Sequence, residues 1–441
     1  MKRRYEYLVV GSGPGGGTIA RELTDAGKSC LIVECGPRLR KTGLLNVAPK
    51  AFLDERKRVP LSDGRILFGQ SRVLGGGSYV AMGNAATPPQ RILDEWGIDL
   101  SDELAWARKM LKVVPMPEKF MGQATKRINQ AAASLGWDMK PTPKSVDFSK
   151  CRRCGLCMFG CPTGAKWTSL EFVDDAIARG AELLLETKVT RILHTNGKVT
   201  AVKAVHKGKE IEIGAANIIL AAGALATPVI LQNSELPAGK GLAGDIFQTT
   251  YGYHPEVGMK GEIILATYLE SVVIERELFP APYMYIPFFV LRDMDWGLPE
   301  KLGKVQQAMM ILRSKKVDTS HLIGMMTKIR DERTGEVYKD GTIHKHLTER
   351  DRAKLEEAHE INKQILIAAG ARPETIFTGV YESGHPCCTA AMGEVVDHNL
   401  ETEIKGLFVS DASVFPSPLG MPPILTIVAM SKRFAKHLLE R

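Results

Sequence analysis

No uninterrupted run of 18 or more apolar residues occurs in the 441-residue chain, so the sequence predicts no transmembrane helix. The longest apolar stretch, Ile218 to Leu231, is interrupted by Gly223 and Pro228. The basic opening, Met1-Lys2-Arg3-Arg4, leads into a strand-like run and a glycine-rich turn, where a signal peptide would need an apolar segment. Cysteine is sparse. Eight residues are too few for a disulfide scaffold, and a chain of this size buries enough surface to fold without staples. These absences predict a reducing, cytoplasmic setting, where clustered cysteines are metal ligands more often than disulfides. No polybasic block is present. The net charge of +8 is spread along the chain, which argues for a solvated surface and against a nucleic-acid partner. Neither an internal repeat nor a low-complexity segment stands out. At about 100–200 residues per domain, the length predicts two or three domains.

Glycine is plentiful where the chain begins. The β-prone run Tyr5 to Val10 is followed by Gly11-Ser12-Gly13-Pro14-Gly15-Gly16-Gly17, a helical stretch to about Ala26, and a second strand from Ser29 to Glu34. This is a strand, a GxGxxG turn, a helix, a strand and an acid. Gly11 permits the tight turn, Gly13 lets backbone approach a pyrophosphate, and Gly16 lets helix pack on strand. The helix N-terminus offers free N–H groups and the positive end of its dipole to the anion. Glu34, 23 residues beyond Gly11, stands where a carboxylate accepts from a ribose hydroxyl. The pattern suits FAD and NAD alike. A second glycine cluster, Gly75-Gly76-Gly77-Ser78, is by itself as consistent with a plain turn as with a cofactor contact.

Half of the cysteines fall in one place. Cys151, Cys154, Cys157 and Cys161, followed by Pro162, have the C-x2-C-x2-C-x3-C-P spacing of a ferredoxin cluster loop and predict a [4Fe–4S] cluster. Zinc sites usually split two such pairs by roughly 12–20 residues, whereas these four lie within eleven. In two-cluster ferredoxins the fourth cysteine serves the other cluster. The fourth ligand here is therefore Cys161 or a remote thiol, with Cys387 and Cys388 as the candidates.

Taken together, the pieces resemble the glucose–methanol–choline (GMC) family of FAD-dependent oxidoreductases. The resemblance is carried by the N-terminal fingerprint with Glu34, the Gly75–Ser78 cluster, and Ala221-Ala222-Gly223 with Thr227-Pro228. It continues through His385, Thr389 and Met392-Gly393, Asp411 to Pro416, and Pro423-Ile424-Leu425-Thr426 entering a final helix. It covers the cofactor-binding parts, about half the chain, and is only general from about 240 to 380, where the family builds its substrate pocket. It implies FAD, with Gly11, Gly13, Gly16 and Glu34 holding the ADP half. Gly76, Gly77 and Ser78 would lie against the flavin, Val189 near the adenine, and Asp411 and Ala412 near the pyrophosphate and ribityl chain. It implies His385 as the catalytic base, and histidine suits that task because it titrates near neutrality. No histidine adjoins Gly75–Ser78, so non-covalent flavin is expected. At the position where the family places asparagine or a second histidine, this chain has Pro422, whose side chain neither donates nor accepts.

The expected fold is mixed α/β. A Rossmann-like FAD-binding unit with a β-meander is drawn from residues 1–90, 165–240 and 385–441. A smaller substrate unit with a mixed or antiparallel sheet comes from 91–147 and 241–384, and the iron–sulfur loop spans 148–164. The expected function is a dehydrogenase that oxidises a CH–OH group of a small organic substrate. Its electrons would leave through the [4Fe–4S] cluster to a ferredoxin-like protein carrier or partner subunit. Pro422 motivates a second reading, chemistry at a carbon–carbon bond. The short substrate region motivates a third, a relay subunit of a larger complex. The aromatic run Tyr283 to Phe289 reads as core or sheet, and His344 and His346 share one face of a strand.

Overall fold

The N-terminal pattern folds as its composition dictates. Strand β1 (Tyr5–Val10) stops at Gly11, helix α1 (Pro14–Asp25) starts on a proline whose fixed φ suits a first helical turn, and strand β2 (Cys30–Val33) follows. The computed structural model describes residues 5–39, 42–43, 60–283 and 319–441. Of the aromatic run from Tyr283 to Phe289, only Tyr283 is among them; the rest lies outside the described residues.

Among the described residues a seven-stranded sheet runs in the order Glu182–Leu184, β2, β1, Lys209–Leu220, Lys198–His206, Thr187–Thr195, with Leu407–Val409 also paired to Lys209–Leu220. The pairs around β1 and the Leu407–Val409 pair are parallel, and the last three strands in that order form an antiparallel meander. Parallel strands are buried on both faces, which is why all of β2 and most of β1 are apolar throughout. The sequence divides Glu210–Ile213 and Asn217–Ala222 into two strands, whereas the structure joins them as Lys209–Leu220. Residues 209–214 pair with the meander and 215–220 with β1, so hydrogen-bonded partners on successive sides keep the chain extended through Gly214.

A second sheet runs Leu278–Pro282, Leu322–Ile329, Ile246–Tyr253, Glu382–Ser383, Leu67–Phe68, with Phe377–Thr378 also on Ile246–Tyr253. It is mixed, since only the Glu382–Ser383 to Leu67–Phe68 pairing is parallel. The helix Glu349–Ala368 opens on a Thr348/Asp351 capping box and covers one face of this sheet. Successive residues of a strand point to opposite faces. Ile323, Met325 and Ile329 accordingly join the core beneath that helix, while Met326 joins the core of the first sheet, along with Phe247, Phe279 and Tyr283. The second sheet thus presents its far face to the core of the first. No helix among the described residues is long and apolar enough to cross a membrane.

Candidate active site

The glycine turn is closed by contacts from distant parts of the chain. Gly11 has φ +100°, and a Cβ there would lie 2.3 Å from the Ala221 carbonyl oxygen. Gly76 has φ +53°, and a Cβ on it would lie 2.8 Å from Gly13 Cα, so the two glycine clusters meet face to face. Around Gly77 an added Cβ meets nothing within 4 Å. The backbone at Gly77 therefore borders open space, as close approach to a pyrophosphate requires.

Glu34 is buried, and its carboxylate accepts from the Ser12 N–H (3.1 Å), the Ser12 hydroxyl (2.6 Å), the Gly36 N–H (2.7 Å) and the Cys35 thiol. Burial pushes its carboxyl up, and these four donors oppose that shift. The Ser12 hydroxyl also accepts from the Gly75 N–H at 3.0 Å, tying the first cluster to the second. Ser169 completes the link: its hydroxyl donates to Gly13 O (2.8 Å), and its N–H donates to Ser78 Oγ (2.8 Å). Asp411 accepts from the Gly223 N–H (2.8 Å), the Thr227 hydroxyl (2.6 Å) and the Ser413 N–H (2.8 Å), bonding the Ala221–Gly223 turn to its own. Ala412 follows it, buried, and Val189 is buried in the first core on the strand Thr187–Thr195. The hydroxyls of Ser413 and Thr426 are buried without a partner, one on the Asp411 turn and one in the first turn of the final helix. Buried hydroxyls rarely stay unsatisfied, so these two call for a ligand or water. Glycine cradle, ribose carboxylate and orphaned hydroxyls fit a bound FAD.

The cysteine loop docks on the second glycine cluster. Lys166 is buried, and its Nζ donates to Ser78 O (3.1 Å), Tyr79 O (2.7 Å) and Ala81 O (2.5 Å) on one side and to Cys157 O (3.0 Å) on the other. The Tyr79 ring lies directly on Gly160. A second buried lysine, Lys144, donates to Asn84 Oδ1 (2.5 Å) and Ile264 O (2.9 Å), and its charge is felt by Cys151 and Cys157. Burial depresses both lysines to about 8, and the loop thiols counteract that. Burial also works to raise the Cys161 thiol. The Thr163 hydroxyl and the N–H groups of Lys166, Thr163 and Ala165 outweigh it and hold that thiol below its ordinary value. No three of the loop's sulfurs lie within 4.8 Å of one another. The donor set, four thiols amid two ammonium groups and converging N–H groups, fits an anionic iron–sulfur cluster. Cys387 and Cys388 are elsewhere: both are buried, their sulfurs 3.4 Å apart, and Cys387 neighbours Asp245.

His385 follows the strand Glu382–Ser383. Its Nδ1 lies 3.0 Å from Asp245 Oδ2, and Asp245 Oδ1 accepts from the Gly420 N–H at 2.7 Å. Asp245 is buried and has φ +47°, a strained backbone of the kind found at functional sites. With the carboxylate as acceptor, the imidazole proton sits on Nδ1 and Nε2 presents its lone pair. Burial, and then the charge of Lys328, lower the proton affinity of His385 well below its usual value, so the ring is neutral near pH 7. Burial pushes the Asp245 carboxyl up to about 7, against the Gly420 N–H and the charges of Lys328 and Arg330. Because the ionised form is the one that accepts from Nδ1–H, turnover should fall as pH drops through about 7. A pH–rate profile checks this, and Asp245→Asn should lower the plateau and remove that limb. Elsewhere, the exposed Asp63 carboxylate is shared by His344 and His346 and accepts from the Lys345 N–H at 3.0 Å.

The residues singled out from sequence thus fall into three neighbouring groups: nucleotide cradle, cysteine loop and His385. Sequence reasoning missed Ser12 and Ser169, which stitch the glycine loops, and Asp245 and Lys328, which surround His385. A serine inside the GxGxxG turn was the one available signal for Ser12.

Comparison with known proteins places the chain in a family. The GMC oxidoreductase family models match residues 5–259 at the N-terminal side and 342–431 at the C-terminal side. An uncharacterized GMC-type oxidoreductase of Mycobacterium tuberculosis is 26% identical, covering 99% of this chain and 76% of that one. A long-chain-alcohol oxidase of Arabidopsis thaliana is 25% identical, covering 99% of this chain and 69% of that one. Among solved structures, pyridoxine 4-oxidase from Mesorbium loti shares the fold with a TM-score of 0.73 at 16% identity, over 99% of this chain and 100% of that one.

Proposed function

The chain belongs to the GMC oxidoreductase family, and on that premise we propose an FAD-dependent dehydrogenase that oxidises a CH–OH group of a small organic substrate and delivers the electrons through a [4Fe–4S] cluster to a protein carrier. Bound FAD would supply a two-electron hydride acceptor, and a cluster a one-electron outlet. Gly11, Gly13, Gly16 and Glu34 hold the ADP half in this reading, Gly76, Gly77 and Ser78 border the flavin, and Asp411 and Ala412 bound the pyrophosphate side. Cys151, Cys154, Cys157 and Cys161 hold the iron, with Cys161 as the fourth ligand because the loop gathers N–H groups around its sulfur.

His385 takes the substrate's hydroxyl proton at Nε2, and Asp245 keeps the ring turned and the other proton on Nδ1. The observation that carries the electron outlet is Lys166, one ammonium bonded at once to the flavin-side turn and to the cysteine loop. Cys154, Arg152 and Arg153 are exposed at the far side of that loop, a basic face for an acidic carrier.

Protein purified without oxygen should be brown, with flavin bands and about four irons per chain. Benzyl alcohol or 1-hexanol should bleach the flavin, and a ferredoxin should restore its colour. A yellow, iron-free protein from anaerobic handling would sink the cluster, and a flavin that no alcohol bleaches would sink the alcohol chemistry.

A further inference from the structure

Four lysines are buried among the described residues, and three of them are well partnered. Lys144 and Lys166 bond the oxygens described above, and Lys345 Nζ lies 2.8 Å from Asp331 Oδ2. Lys328 is only 4% exposed, yet among the described residues its Nζ has no hydrogen-bond or ion-pair partner. It rests instead over the Phe247 ring, 4.0 Å from the centroid. A cation–π contact offsets only a part of what an ammonium loses on leaving water. A chain that keeps such a group there has left its donors for something that is not part of the chain.

The sheet register shows where those donors are. Lys328 stands opposite Phe247, and Phe247 stands opposite Glu382 on the next strand. The chain then runs through Ser383 and Gly384 to His385, and a Cβ on Gly384 would lie 3.9 Å from Lys328 Nζ. Lys328 shares its face of the strand with Met326, which packs in the core of the nucleotide-binding unit. The ammonium therefore lies beside the backbone that delivers the catalytic histidine. No such donor comes from Pro422.

We propose that Lys328 is a catalytic residue whose Nζ donates a hydrogen bond to the hydroxyl oxygen of the substrate alcohol and stabilises the negative charge that grows there. The inference rests on the alcohol-oxidising reading above. The hydroxyl proton goes to His385 Nε2 and a C=O bond forms as the C–H hydrogen leaves with its electron pair, for which bound FAD would be the acceptor. Lys328 keeps its protons throughout. Asp245 and Glu382 flank the ammonium, so the site has no surplus positive charge for an anionic substrate, and uncharged alcohols are the matching class.

The test uses the FAD-loaded protein with benzyl alcohol as substrate and 4-nitrophenol, whose hydroxyl oxygen can accept from Lys328 but whose carbon carries no hydrogen to lose, as a non-reacting probe. Lys328→Met should slow flavin bleaching by about a hundredfold to a thousandfold, the usual loss for one oxyanion donor, and should weaken 4-nitrophenol binding in equilibrium dialysis by at least about tenfold. Lys328→Arg should recover part of both, and methylamine should speed Lys328→Ala, which guards against a methionine variant that fails to fold. FAD content confirms that each variant is intact. Unchanged bleaching and unchanged 4-nitrophenol binding in intact Lys328→Met overturn the proposal. If no alcohol bleaches the wild-type flavin while 4-nitrophenol binding still depends on Lys328, the alcohol reading fails and the oxyanion site stands.

Discussion

Replacing His385 with alanine is expected to slow alcohol-driven bleaching of the flavin by about a hundredfold to ten-thousandfold, the range that positioned proton transfer contributes, while FAD stays bound. The two halves of that expectation come from different parts of the molecule. The cradle is built from Gly11, Gly76, Glu34, Ser12 and Asp411, none of which hydrogen-bonds His385. The proton acceptor is a single lone pair on Nε2, made available because Asp245 holds the Nδ1 proton. Truncation removes the acceptor and leaves the cradle alone. Stopped-flow bleaching under anaerobic conditions gives the rate, and the flavin-to-protein absorbance ratio gives occupancy. A variant that bleaches at the wild-type rate would remove His385 from the reaction.

The second large effect concerns Lys166. Lys166→Met should cost about 1–3 kcal/mol of stability, as expected when buried carbonyls lose their donor, and should lose FAD and iron together. An ammonium has three protons, and this one is shared among the carbonyls of Ser78, Tyr79, Ala81 and Cys157. Methionine fills the volume and leaves those carbonyls buried without donors. Three of them belong to the short turn after the second glycine cluster and one to the cysteine loop, so neither loop can relax without the other. Denaturant titration, flavin fluorescence and iron analysis check the outcome. A variant that releases only one of the two groups would show that the loops are held separately.

Much of the nucleotide cradle was legible because its parts are close in sequence. Gly11, Gly13, Gly16 and Glu34 are fixed by the spacing of one strand–turn–helix–strand unit, and the cysteine loop by gaps of two and three residues. His385 and Asp411 were reachable only through resemblance. Asp245 and Lys328 were not reachable at all. They meet His385 because three strands, drawn from positions 246, 328 and 382, align in register, and no local pattern records that alignment. Lys328 in particular reads as one charged residue in an apolar strand until its neighbours across the sheet are known. The joined strand Lys209–Leu220 was misdivided for a related reason: its continuity is imposed by two different partners, one for each half.

The closure of the first glycine turn by late residues sets an order of events during synthesis. A Cβ on Gly15 would lie 1.8 Å from the Ser410 carbonyl oxygen, and Leu407–Val409 is the strand that brings Ser410 there. At about 5–20 residues per second, the ribosome takes tens of seconds to travel from the one to the other. Through that interval the residues that close the turn are not yet in the chain. A nascent chain stalled before residue 411 should accordingly emerge without flavin.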